Sequence, residues 1–421
     1  MPSVAGILLA LSVLSSLAAG LFGITPLIAG LFQLVAGAIL WLKVPIGVRR
    51  VSLVLLVGGI AIFFMATEPP SLVTAISKNQ QMIAMLAAIG LLRYSPRLKT
   101  AETIPQGPRA IWQTLFGLHW LASVINISSL LIFSDRLAEK NGHLKWFQGM
   151  MLSRGFSMAA LWSPFFVAMG VALTYAPGAD YRQMMLWGLP FSQVLLAGMI
   201  CHVIRKYPDE VEAFRGYSFR LSTLIVPAGL AFGVIVLHQL FPRLSILTII
   251  TLLAPCYPLL ANREHRPGVL LKRFVLEDLA RMGPEVVLFA SAGVLGSGLS
   301  VLVAGRFFNL TGTINPLLFI CAGLALILIA ASLGVHPVVG VTIVAGIASG
   351  IPLPADLLAL SFLFGWGLGV LINPISGVHI LLSGRYGYPG TNAWRLNVPF
   401  VVTAYILACG WFGIYWLLLG Q

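Results

Sequence analysis

Asn126-Ile127-Ser128-Ser129 stands in the middle of one apolar run, and Gly296-Ser297-Gly298 in the middle of another. If the backbone turns at these places, free N–H groups point into the protein and small residues let a ligand approach them. The alternative is a continuous span whose small residues allow close helix packing. Two prolines mark firmer breaks, because a proline inside a helix removes one hydrogen bond and clashes with the preceding turn. Ser163-Pro164 and Gly334-Val335-His336-Pro337 leave carbonyls unpaired, and a helix restarting at the proline directs its positive end at the break. Ser163 and His336 hold matching positions just before it. His336 can donate to a bound oxygen or titrate in transport; a neutral ring bonded to a freed carbonyl is the plain alternative. Arg154 lies about 12 Å into its apolar segment. It can pair with an anion, although a side chain snorkelling to the interface is the favoured reading. Asn373-Pro374-Ile375-Ser376-Gly377 ends a span, either as a third wall of the second half-site or as a plain helix stop. The substrate-binding candidates are therefore Asn126, Ser128, Ser129, Ser163, Arg154, Gly296, Ser297, Gly298, His336, Asn373 and Ser376.

These groups are neutral donors and one cation. The carboxylates, among them Glu68, Glu102, Asp135, Asp180, Asp278, Glu285 and Asp356, sit mainly in loops and none lies mid-span on this reading. A buried carboxylate relay is disfavoured, and an anion is the expected ligand. No HExxH, GxSxG or Walker pattern is present, so no enzyme activity, cofactor or metal site is expected. The coupling ion, Na+ or H+, stays open. His119 and His202 read as structural.

The elements that must position these residues are membrane helices. Of 421 residues, 58% are apolar and 9% charged, with a mean hydropathy of +0.95. An ordinary soluble domain carries about 25% charged residues. The composition excludes a soluble enzyme, a nucleic-acid-binding protein and a disordered regulator. It implies an all-α polytopic membrane protein with about 11 to 13 transmembrane helices. The formal net charge of +13 reads as positive residues gathered in cytoplasmic loops, not as affinity for nucleic acid. With the N-terminus inside, and with Ile111–Phe133 and Pro284–Val303 re-entering and leaving on one side, nearly all Lys and Arg fall on the cytoplasmic side. These include Arg97, Lys99, Lys140, Arg220, Arg263 and Arg306; Lys78, Arg182 and Arg243 fall opposite. Cys201, Cys256, Cys321 and Cys409 read as small core hydrophobes. Val4–Phe22 lacks a basic leader and reads as a retained first span.

Two halves repeat an order of parts: two spans, a basic arm, a Gly/Ser-bearing apolar segment, a Pro-broken segment and a closing span. Leu121-Ala122-Ser123 answers Phe289-Ala290-Ser291, and Trp187-Gly188-Leu189 answers Trp366-Gly367-Leu368. Duplicated halves with interrupted helices are what carriers are built from. The expected division is N-terminal helices over 1–50, a first repeat over 51–215, a second over 216–396 and a C-terminal helix over 397–421. Hairpin-like segments and Pro-broken helices are expected in both repeats.

The basic arms (Pro96–Arg109 and Arg263–Gly283), the polar-tipped segments and the Pro-broken helices resemble the ion transporter superfamily of secondary carriers. That superfamily includes divalent-anion/sodium symporters and arsenite-permease-like proteins. The resemblance covers most of the chain after about Val51. It implies scaffold parts joined by the arms to moving parts, which carry substrate across the membrane by an elevator-like movement. The expectation is a secondary transporter of a small organic or inorganic anion in the bacterial cytoplasmic (inner) membrane. Its partners are the anion and membrane lipids, with a homodimer as one expected assembly and no nucleic acid. The other readings are a flippase or exporter of a lipid-linked intermediate, and a non-transporting membrane subunit.

Overall fold

A computed structural model describes residues 2–65, 71–95, 105–139, 141–217, 225–262, 264–304, 315–388 and 390–419. Glu68, Arg97, Lys99, Glu102, Lys140, Arg220, Arg263 and Arg306 lie outside the described residues. Among those described, the regular elements are helices, with one isolated antiparallel bridge between Gln106 and Arg215. Among the described residues six helices are long and apolar enough to cross a membrane: Ser3–Phe22, Ile46–Met65, Tyr181–Lys206, Pro267–Ser300, Ala355–Tyr386 and Trp394–Leu419. Shorter apolar helices accompany them, including Leu27–Lys43, Ile246–Ala261 and Pro316–Ser332. The protein is an all-α polytopic membrane protein. It divides into two compact units, each drawn from three stretches of chain.

The first unit comprises Met1–Pro96, Phe232–Ile314 and Val341–Leu353. Its helices Ile46–Met65 and Gly283–Ala304 pack along each other on glycines. A Cβ at Gly59 would sit 2.8 Å from the Leu295 nitrogen, and one at Gly298 would sit 3.2 Å from the Gly59 carbonyl oxygen. Gly283–Ala304 is one unbroken helix of 22 residues, about 33 Å long. The expected backbone reversal at Gly296 is therefore absent, and Pro284–Val303 is not re-entrant. The Ser300 hydroxyl donates to the Gly296 carbonyl at 2.8 Å inside the continuous helix. The small residues serve close packing instead. A polar break does occur in this unit, between Leu72–Ser77 and Gln80–Gly90. There the Asn79 amide donates to the Phe289 carbonyl at 2.7 Å, and Gln33 donates to the Gln80 carbonyl at 2.8 Å.

The second unit comprises Arg97–Ala231, Asn315–Gly340 and Pro354–Gln421. Its centre is the Ala355–Ile372 helix, buried along nearly its whole length. Glycines let neighbours press onto it from different sides. A Cβ at Gly365 would meet Ile327 at 2.9 Å, and one at Gly367 would meet Leu161 at 2.6 Å. Phe364 stacks between Phe191 and Phe412, at centroid distances of 4.5 and 5.4 Å. Both expected proline breaks are present. Trp146–Ala159 ends, the chain runs non-helically past Ser163-Pro164, and Val167–Tyr175 begins. Pro316–Ser332 ends, Gly334 turns at φ 85°, and Pro337–Ala348 begins. The helix Gly107–Ile125 is also interrupted, at Asn126 (φ 50°, ψ −130°). Among the described residues Asn126 alone, apart from glycines, has a positive φ.

The cysteines depart from expectation. Cys201 and Cys256 are exposed, and Cys321 and Cys409 are half-buried. In a bilayer the outer face of a helix is as apolar as its core, so apolar neighbours do not imply burial.

Candidate functional site

Arg154 sits about two turns into the Trp146–Ala159 helix and is 6% exposed. Its Nε donates to the Asn397 side-chain oxygen at 2.8 Å, and its Nη2 donates to the Leu396 carbonyl at 2.7 Å. Its guanidinium lies 4.9 Å from the centroid of the Phe400 ring. Among the described residues no carboxylate lies within ion-pair distance of it. Arg154 is buried and held by three residues of the Gly390–Leu419 helix. A buried charge normally carries a counter-charge, because desolvation costs several kcal/mol per ion in practice. Neutral acceptors orient this guanidinium without cancelling its charge.

The Asn397 side chain joins Arg154 to the last turn of the central helix. Its Nδ2 donates to the Leu371 carbonyl at 3.2 Å, and the residue is fully buried. The same turn meets the second helix break. Asn373 Nδ2 donates to the Val335 carbonyl at 3.0 Å. In an unbroken helix that oxygen would accept from Val339, whose N–H goes instead to the His336 carbonyl at 2.9 Å. Asn373 thus supplies the hydrogen bond that the break at Pro337 removes. The Asn373 side-chain oxygen accepts from the Ile375 N–H, and Ser376 caps the Gly377–Tyr386 helix through the His379 N–H. The His379 ring returns to the same place, with Nδ1 2.9 Å from the Asn373 carbonyl. His336 Nδ1 accepts from the Val338 N–H at 3.3 Å, and its ring stands edge-on to Trp366 at 5.1 Å.

Sequence reasoning named Arg154, His336, Asn373 and Ser376 separately. The second unit links Arg154, Asn373 and Ser376 through hydrogen bonds around the end of one helix. His336 flanks that linkage at the Val335 break. Asn397 and His379 were missed. The signal for Asn397 was an amide two residues before Pro399, at the head of the last apolar run. The signal for His379 was its place three residues after a helix-capping Ser376.

The remaining candidates are arranged differently. The Ser163 hydroxyl is spent on protein: it donates to the Ser123 carbonyl and accepts from the Phe165 N–H at 3.1 Å. Beside it, Trp162 Nε1 donates to His119 Nε2 at 3.0 Å, and Gln193 approaches the same ring nitrogen at 2.9 Å. Both contacts put donors on Nε2, so the proton of His119 belongs on Nδ1. This trio clamps the first break to the Gly107–Ile125 and Tyr181–Lys206 helices. Ser129 donates to the Asn126 carbonyl at 2.7 Å, while Asn126 and Ser128 are half-buried at the interruption. Gly296, Ser297 and Gly298 belong to the first unit, within the unbroken helix.

No protein-family model and no curated protein matches the chain in sequence. Among solved structures, the fold is similar to that of the YdaH transporter of Alcanivorax borkumensis, whose crystal structure was described as revealing an unusual topology. The two share a TM-score of 0.53 at 14% identity, over 89% of this chain and 98% of that one. At that identity the likeness is one of fold.

Proposed function

We propose that the protein is a secondary active transporter that moves a small organic or inorganic anion across the bacterial cytoplasmic membrane. The observation that carries the reading is Arg154, a buried cation with neutral partners and no carboxylate among the described residues. An anion arriving there supplies the missing counter-charge in a site of low dielectric, where such a pairing is strong. Asn397 and the Leu396 carbonyl pre-orient the guanidinium, so little side-chain entropy is lost on binding. The fold shared with a transporter and the proline breaks at Pro164 and Pro337 support movement of the ligand over fixed binding. An elevator-like displacement of one part of each half is the expected mode.

Counterflow of radiolabelled succinate, lactate, phosphate and sulfate in proteoliposomes tests the reading. Wild-type protein should exchange at least one of them. Arg154→Gln should lose about ten- to a hundredfold in affinity, the usual worth of a hydrogen bond to a charged group. Exchange of all four at background rates, or selective uptake of an organic cation, would overturn it.

A further inference from the structure

The Gly377–Tyr386 helix holds an imidazole with one nitrogen committed and one vacant. His379 is 0% exposed, and its Nδ1 contacts the Asn373 carbonyl at 2.9 Å. A carbonyl only accepts, so Nδ1 carries the proton and Nε2 presents its lone pair. Nε2 is buried and meets no hydrogen-bond partner among the described residues. Buried polar atoms of this kind are rare, and each calls for a specific explanation. We propose that His379 Nε2 is the proton-binding site of the carrier, so that the anion held at Arg154 travels together with a proton. This rests on the anion reading above and names its coupling ion.

The surroundings fit that role. The Ile127–Leu137 helix brings Asp135 and Arg136. Asp135 is taken up by Arg385 at 3.1 Å and Tyr386 at 2.6 Å, both on His379's own helix, and Arg136 lies 4.9 Å over the Tyr217 ring. The Gly390–Leu419 helix brings Arg395, 5.5 Å from the Trp394 ring, and further along Tyr405, Cys409 and Tyr415. The central helix brings Asp356, at its opposite end. The Trp146–Ala159 helix brings Arg154, which has no carboxylate to balance it among the described residues. Arg154 reaches the end of the central helix through Asn397 and the Leu371 carbonyl, and His379 reaches the same end through the Asn373 carbonyl. A bound anion there favours a proton on His379, and that proton attracts the anion in turn. The two ligands therefore strengthen each other's binding by the same factor, which is the condition for symport.

The step is a protonation only. The proton comes from water, adds to the Nε2 lone pair and returns to water on the other side; no other bond changes. The coupling route is also visible. His379 bonds the Asn373 carbonyl, and the Asn373 amide bonds the Val335 carbonyl at the helix break. Charging the ring strengthens the first bond, and so bears on the segment that must rearrange.

The test uses the full chain and His379→Asn. The asparagine amide nitrogen takes the place of Nδ1 and keeps a donor for the Asn373 carbonyl, while the Nε2 acceptor is lost. Equilibrium binding of labelled succinate should tighten as pH falls from about 8.5 to 6.5, by up to tenfold per unit for one linked proton. In His379→Asn the affinity should no longer change with pH, and succinate entry should no longer acidify pyranine-loaded liposomes. A wild-type pH slope in His379→Asn overturns the proposal. So does a flat slope in wild type while Arg154→Gln abolishes binding, and in that case the anion site stands. If wild type binds none of the four anions at any pH, the anion reading falls and histidine NMR decides the proton site. His379 Nε2 must then take up a proton on acidification while Nδ1 keeps its own, or the proposal falls with it.

Discussion

Asn397 decides whether the charge on Arg154 stays available. Its side-chain oxygen holds the guanidinium and its amide holds the Leu371 carbonyl. Asn397→Asp replaces a neutral acceptor with a permanent counter-ion at 2.8 Å. The variant should lose anion exchange, because the charge is already answered, while its lost donor to the Leu371 carbonyl should show as a modest fall in melting temperature in detergent. Asn397→Leu should instead leave a buried donor unmet and lower stability by about 1.5–3 kcal/mol, read from denaturation midpoints. Asn126 gives a second residue-scale expectation. At φ 50° and ψ −130° it occupies backbone space that glycine visits freely. Asn126→Gly should be neutral or stabilising, whereas Asn126→Ala should destabilise by about 1–2 kcal/mol, again by melting. The sequence showed Arg154 and Asn373 as lone polar residues in apolar runs. It did not show that they converge, because the hydrogen bond from Arg154 to Asn397 spans 243 residues.

At the scale of elements, proline chemistry was legible and glycine chemistry was not. Pro164 and Pro337 interrupt their segments because the missing N–H and the ring clash are properties of the residue itself. Gly296-Ser297-Gly298 has the composition of a hairpin tip and equally that of a packing stripe. Only its partner distinguishes the two, and Gly59 is that partner. Gly59→Val should force the Ile46–Met65 and Gly283–Ala304 helices apart, since even a Cβ there lies 2.8 Å from a backbone nitrogen. A cost of about 1–3 kcal/mol is expected, typical of overpacking. It should appear as a lowered melting temperature with succinate affinity little changed, because the strain falls in the first unit. Asn373→Leu differs: it frees the Val335 carbonyl at the second break and should impair transport and stability together.

For the whole molecule, composition established an all-α polytopic membrane protein, and the six long apolar helices agree with it. The side of each loop is a proposal drawn from charge alone. Cysteine labelling at Arg205 and at Lys272 should report the cytoplasmic face for both; periplasmic labelling at Lys272 would make the two halves inverted. The site could not be assembled from the sequence, since its parts come from three separate stretches of the second unit. The most direct test of the central claim is exchange of labelled succinate, lactate, phosphate and sulfate in proteoliposomes by wild type and Asn397→Asp, side by side. Wild type should exchange at least one anion, and the folded variant should fall at least about tenfold below it. Exchange by Asn397→Asp at the wild-type rate would show that the charge of Arg154 does not hold the substrate.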